Sequence, residues 1–150
     1  MQAPDDFNPA PGRAEELQPG VRRILAPNPS PMTYRGTNTY LIGTRDLAVI
    51  DPGPVLPDHL EAILAAVGPD QRIGHIIVTH AHVDHSPLAD ELSQRTGAPV
   101  YGFGPASAGR SPAMQQLVAQ GMTGGGEGID TEFTPDITVA DGDMISGEGW

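Results

Sequence analysis

The stretch Val78–Pro87, VTHAHVDHSP, places His80, His82 and His85 with Asp84 inside six residues, in a chain that has five histidines. Imidazole nitrogens and a carboxylate at this density form a donor set for a divalent cation of the zinc type, and Mn or Fe can take the same N and O ligands. The bland alternative is a chance surface cluster, or histidines that cap buried polar groups. Uncoordinated histidines this close repel one another once protonated and have no obvious packing use. The chain has no cysteine, so any metal must be held by histidines and carboxylates. His59 and His75 stand alone in the sequence and are read as structural or simply exposed.

The elements around this cluster are those of an α/β domain. In an extended segment side chains alternate, so His80, His82 and Asp84 are expected on one side, and a turn before the next helix can swing His85 toward them. The apolar run IGHIIVTH reads as a strand buried on both faces. Ser86 is placed as the N-cap of a helix that starts with Pro87 and closes at Gly97, and APVYGF follows as a parallel strand. Upstream, VRRIL is a short strand, while NTYLIG and DLAVID form a hairpin across GTRD. In DHLEAILAAVG, Leu60, Ile63, Leu64 and Val67 share one helical face. Downstream, Ser111 and Pro112 open a further helix with Met114, Leu117 and Val118 on one face, and TGGGEG is a link. Asp141-Gly142 in ITVADGDMI is the dipeptide of a two-residue hairpin.

Composition narrows the partners. Residues 1–20 are Pro-rich and polar and read as a flexible arm. They lack the basic start and apolar middle of a secretory signal, and no stretch is long and apolar enough for a membrane span, so a cytoplasmic location is expected. The formal charge is −11 and all eight basic residues are Arg, a balance that works against DNA or anionic membranes, which need cationic contacts.

Thr79-His80-Ala81-His82-Val83-Asp84-His85 resembles the HxHxDH signature of the metallo-β-lactamase superfamily. AVIDPGP is similar to the family's earlier strand ending in Asp, here Asp51, and ADGDMI to the segment before its second metal-binding half. GTNTYLIG resembles the branch of the β-lactamase-like endoribonucleases and, more loosely, the glyoxalase II enzymes. The likeness spans residues 21–150 and implies an αββα sandwich of which this chain covers roughly the first half. It implies His80 and His82 on a first zinc ion and Asp84 and His85 on a second, with Asp51 beneath the loop holding it in shape. Gly36, Thr37 and Asn38 would lie near the mouth of the pocket. The implied chemistry is attack on an acyl or phosphoryl centre by water that zinc has made acidic, its pKa drawn toward ~7, with Asp84 orienting it.

In that family the remaining ligands follow in the second half, and no candidates stand after His85 here. Residues 21–150 are therefore expected to be the N-terminal part of a longer hydrolase, and the isolated segment 1–150 is expected to bind zinc weakly and turn nothing over. The expected substrate is a small-molecule thioester or ester, or an RNA. Two competing readings remain. One is a mononuclear iron persulfide dioxygenase, in which His85 is not a ligand. The other is a non-catalytic metal-binding module. The substrate itself is set by loops outside the metal motif.

Overall fold

The computed structural model describes residues 6–121 and 128–150. The first five residues of the expected arm and residues 123–127 of the expected link lie outside these. In chain order the elements are β1 (Glu15–Gln18), β2 (Val21–Leu25), β3 (Asn38–Ile42), β4 (Asp46–Ile50), α1 (Pro57–Ala65), β5 (Arg72–Ile77), α2 (Leu88–Thr96), β6 (Val100–Gly102), α3 (Pro112–Ala119) and β7 (Ile137–Thr138). They build one sheet in sequential order, antiparallel from β1 to β4 and parallel from β4 to β7.

The register explains where the core sits. Leu41 faces Val49, Val49 faces Ile76, and Ile76 faces Val100, so these residues form one row across the sheet. This face is fully buried, against Leu60 and Ile63 of α1 and Leu88 and Leu92 of α2. The opposite face carries a second apolar row, Tyr40, Ile50, Ile77 and Tyr101, which is only half-buried. The expectation that β5 is buried on both faces is thus corrected. Both packed helices lie on one side, and the apolar residues facing the other way have no described layer over them.

Local signals account for most helix boundaries. Pro57 opens α1, and Gly97 closes α2 in the left-handed conformation (φ 77°), which costs glycine little. Ser111 caps α3 by accepting the Met114 amide at 3.2 Å. Burial of that helix does not follow, because Met114 and Val118 are exposed and none of its residues is buried.

Four expectations differ from the structure. The stretch read as an arm contains β1, which pairs with β2, and Gly12 donates its amide to the Leu25 carbonyl. Ser86 does not cap α2, which has Pro87 at that place; its hydroxyl lies 2.6 Å from Asp130 Oδ2 and 3.1 Å from the His82 carbonyl. Asp141-Gly142 makes a turn, with the Ala140 amide donating to Asp143 Oδ2, but among the described residues no return strand pairs with β7, which lies parallel to β6 instead. Finally, the histidine segment is not extended. The His82 amide donates to the His80 carbonyl, and the His85 and Ser86 amides donate to the His82 carbonyl, so successive turns replace strand alternation.

Candidate metal centre

The centre is built where two neighbouring parallel strands end. Ile50 of β4 and Ile77 of β5 are register partners, and the Asp51 amide donates to the Ile77 carbonyl at 2.8 Å. The residues that follow, Asp51 on one side and Thr79-His80 on the other, are therefore delivered side by side. Asp51 sits at φ 51°, a left-handed conformation that Asp tolerates better than most residues. That turn aims its buried carboxylate across to the next strand's loop. Oδ1 accepts the Thr79 amide at 2.8 Å, and Oδ2 lies 2.7 Å from the Thr79 hydroxyl and 2.9 Å from His85 Nδ1.

These bonds set the tautomers. With its one proton given to Asp51, the Thr79 hydroxyl can only accept from His80 Nδ1–H at 2.9 Å, which leaves His80 Nε2 as the free acceptor. His85 donates Nδ1–H to Asp51, and its Nε2 then faces Asp84 Oδ2 at 3.3 Å. Two acceptors at that separation call for a positive charge between or on them, either a proton or a metal ion. In keeping with this, the hydrogen bond to Asp51 raises the pKa of His85, although burial opposes it. Burial lowers that of His80, and the neighbouring His85 and His82 push it the same way against Asp51 and Asp84. A neutral His80 is the ligand form.

Among the described residues, one group of at least three metal-capable side chains converges: Asp51, His80 and His85, with ligand atoms all within 4.8 Å of one another. The His80 ring lies 4.2 Å from that of His85 and 4.6 Å from that of His82, centroid to centroid. His82 is exposed and stands outside the tight group, its backbone bridged to Ile129. Asp84 reaches the group through His85 and accepts the Thr37 hydroxyl at 3.2 Å. Three imidazoles and two carboxylates, two of the histidines tautomerically fixed by carboxylate or hydroxyl partners, suit a zinc-type cation.

Of the residues expected at the pocket mouth, Thr37 touches the site. Gly36 allows a close approach, since a Cβ there would run into the Ala26 carbonyl. Asn38 makes no described contact with the centre. Three contributors were missed in the sequence reading. Thr79 carries the bonds just described. Asn28 holds Thr37 from both sides, Oδ1 accepting its amide at 2.9 Å and Nδ2 donating to its hydroxyl at 3.1 Å. Asp130 ties Ser86, while its amide donates to the Ala81 carbonyl. Beside the centre, a cavity of about 220 Å³ is lined by Phe103, Pro105, Ala106, Ala108 and Phe133 and also by Thr79 and His80.

The two remaining histidines lie apart. His75 stacks on Tyr101 (5.4 Å) and meets Trp150 edge-on (4.9 Å). His59 of α1 is fully buried, and burial pushes its pKa down to about 4, the Pro52 carbonyl opposing only in part. A histidine whose pKa is depressed in the fold stays neutral there while the unfolded chain takes up a proton. Its contribution is therefore complete above pH 6.5 and is lost as pH falls toward 4. Urea titrations at pH 7 and pH 4.5 are expected to show wild type losing about 2 to 3 kcal/mol more than His59→Gln, whose side chain does not titrate. The difference between the two proteins cancels the carboxylates and His85. Equal losses would contradict it.

The chain belongs to the metallo-beta-lactamase superfamily, whose model matches residues 32–148. It is 35% identical over 94 residues to a beta-lactamase-like protein 2 homolog of Caenorhabditis elegans, a match covering 58% of this chain and 32% of that protein. It is 40% identical over 82 residues to an atrochrysone carboxyl ACP thioesterase of Aspergillus chevalieri (52% and 26%). A motif mutant of a metallo-beta-lactamase from Cronobacter sakazakii has the same fold at 22% identity, with a TM-score of 0.60 over 94% of this chain and 52% of its own. The chain spans about a quarter to a third of the length of the curated relatives it matches, and about half that of the solved structure. The two layers described above are thus part of the expected αββα sandwich.

Proposed function

We propose that this chain is the metal-holding N-terminal part, from about residue 21, of a hydrolase that cleaves a small acyl thioester or ester. The observation that carries this reading is the convergence of His80, His85 and Asp51, with His82 and Asp84 adjoining, at the ends of two parallel strands. His80 and His82 would hold one zinc ion and Asp84 and His85 a second, with Asp51 fixing the rings of His80 (through Thr79) and His85 rather than serving as a principal ligand. Zinc bound there would supply a nucleophile from water at neutral pH and polarise the scissile carbonyl. The chain's own residues do the rest. Asp84, held by Thr37, orients the attacking water; Asp51 keeps His85 in one tautomer; and the Phe103–Phe133 cavity receives the apolar part of the acyl group beside His80.

Several findings favour acyl over phosphodiester substrates. The cavity is mostly apolar, the formal charge is −11, and relatives matched in this region are named as acyl carrier protein thioesterases. No described helix is long and apolar enough to cross a membrane. The test is turnover by the whole protein on acyl-thioester and oligoribonucleotide panels, with metal analysis. Thioester hydrolysis that falls to background on chelation and returns with zinc is the expected result. RNA cleavage alone would overturn the substrate class, and one iron with thiol-dependent oxygen uptake would overturn hydrolysis in favour of persulfide oxidation.

A further inference from the structure

We infer that His59, on α1 and outside the candidate centre, is a positioning residue that acts through Thr39 on the backbone of Asp51 and so aims the Asp51 carboxylate. Both His59 and Thr39 are fully buried. The Thr39 hydroxyl donates to the Asp51 carbonyl at 2.7 Å and lies 2.8 Å from His59 Nε2. A hydroxyl has one proton, so the second bond must run from His59 Nε2–H to Thr39 Oγ1. The relay is directional, from imidazole to hydroxyl to carbonyl, and it needs a proton on His59 Nε2.

The relay ends on the residue whose conformation matters most to the site. Asp51 is one of two non-glycine residues with positive φ among those described, and such a conformation persists where its surroundings over-determine it. Its carbonyl is held by Thr39, its amide by the Ile77 carbonyl and its carboxylate by Thr79 and His85. The imidazole also backs the turn that follows. A Cβ on Gly53 would come within 3.2 Å of His59 Cδ2 and Nε2, so the backbone lies directly against the ring. Gly53 in turn donates its amide to the His85 carbonyl and accepts the Leu88 amide, joining this turn to the far end of the histidine loop. One buried imidazole therefore touches both supports of the centre. An apolar side chain would fill the same space but remove the donor to Thr39 Oγ1.

The test compares His59→Gln, whose amide can still donate to Thr39, with His59→Leu and Thr39→Val, which break the relay while keeping comparable volume. In the full chain without metal, NMR hydrogen exchange follows the Thr79 amide, which donates to Asp51 Oδ1, against the Ile76 amide, which donates to Pro99 within the sheet. His59→Leu and Thr39→Val are expected to speed Thr79 exchange at least about tenfold relative to Ile76, and His59→Gln to leave it near wild type. Zinc affinity is expected to drop about 10- to 100-fold in the two relay-breaking variants alone. Unchanged Thr79 exchange in Thr39→Val, or equal losses in His59→Gln and His59→Leu, would overturn the relay and leave His59 as packing. Should His59→Leu not fold, Thr39→Val and His59→Gln decide the question. The metal-free readout stands even if wild type fails to bind zinc, a result that would sink the metal reading instead.

Discussion

Asp51→Ala is expected to cost about 3 kcal/mol of stability and to lower zinc affinity about 10- to 100-fold. The carboxylate is buried and accepts from three donors: the Thr79 amide, the Thr79 hydroxyl and His85 Nδ1. Alanine leaves the Thr79 amide and the part-buried imidazole N–H without this partner, and an orphaned donor costs about 1–3 kcal/mol where it is buried. The backbone adds to the loss, because alanine is less at ease than aspartate at φ 51°. Asp51→Asn separates these effects. Asparagine accepts the left-handed conformation and retains one carbonyl oxygen, so it should recover the backbone part but not the charge. Urea denaturation of the three proteins measures the stabilities, and competition with a chromophoric chelator measures the affinities. An Asp51→Ala protein within 0.5 kcal/mol of wild type, about the scatter of neutral surface changes, would show that these bonds do not hold the loop.

Asp84→Asn is expected to lower kcat for thioester hydrolysis by the whole protein about 10²- to 10⁴-fold, equivalent to about 3–5 kcal/mol of barrier. Asp84 is half-buried, accepts the Thr37 hydroxyl and faces His85 Nε2 at 3.3 Å, so it presents a carboxylate oxygen beside the histidine group rather than to bulk solvent. Asparagine keeps the shape and the Thr37 contact but removes the charge that binds cation and orients water. The loss should fall mainly on kcat, because acyl-group binding is assigned to the Phe103–Phe133 cavity and not to Asp84. Steady-state kinetics on one thioester gives both constants. A variant that keeps kcat within threefold would remove Asp84 from the proposed chemistry.

The parts legible in the sequence were those encoded within a few neighbouring residues. The β3–β4 hairpin and the β5–α2–β6 unit follow from apolar runs, turn residues and a terminal glycine. The histidine cluster stood out by residue type and spacing, and Asp51 by the resemblance of AVIDPGP to the family's strand ending in Asp. What escaped depends on partners distant in the chain. Thr79 looks like any strand-end threonine until Asp51 lies opposite, and Asn28 matters only because its loop folds over Thr37. Ser86 fits an N-cap locally, yet Asp130 and the His82 carbonyl claim its hydroxyl. Strand alternation placed His80, His82 and Asp84 on one side; backbone turns instead bring His80 together with His85 and Asp51 and leave His82 outside that group. His59, on one helical face with Leu60 and Ile63, could be read as structural but not as a partner of Thr39.

The proposed chemistry requires a cation held by the side chains between His80 and His85. Crystals of the whole protein grown with zinc, measured at the zinc absorption edge, test it directly. The expected map has anomalous density about 2.0–2.2 Å from nitrogen or oxygen atoms of His80, His82, Asp84 and His85, with Asp51 against the rings. Density elsewhere, or none while His85 and Asp84 remain bonded only to each other and to Asp51, would contradict it.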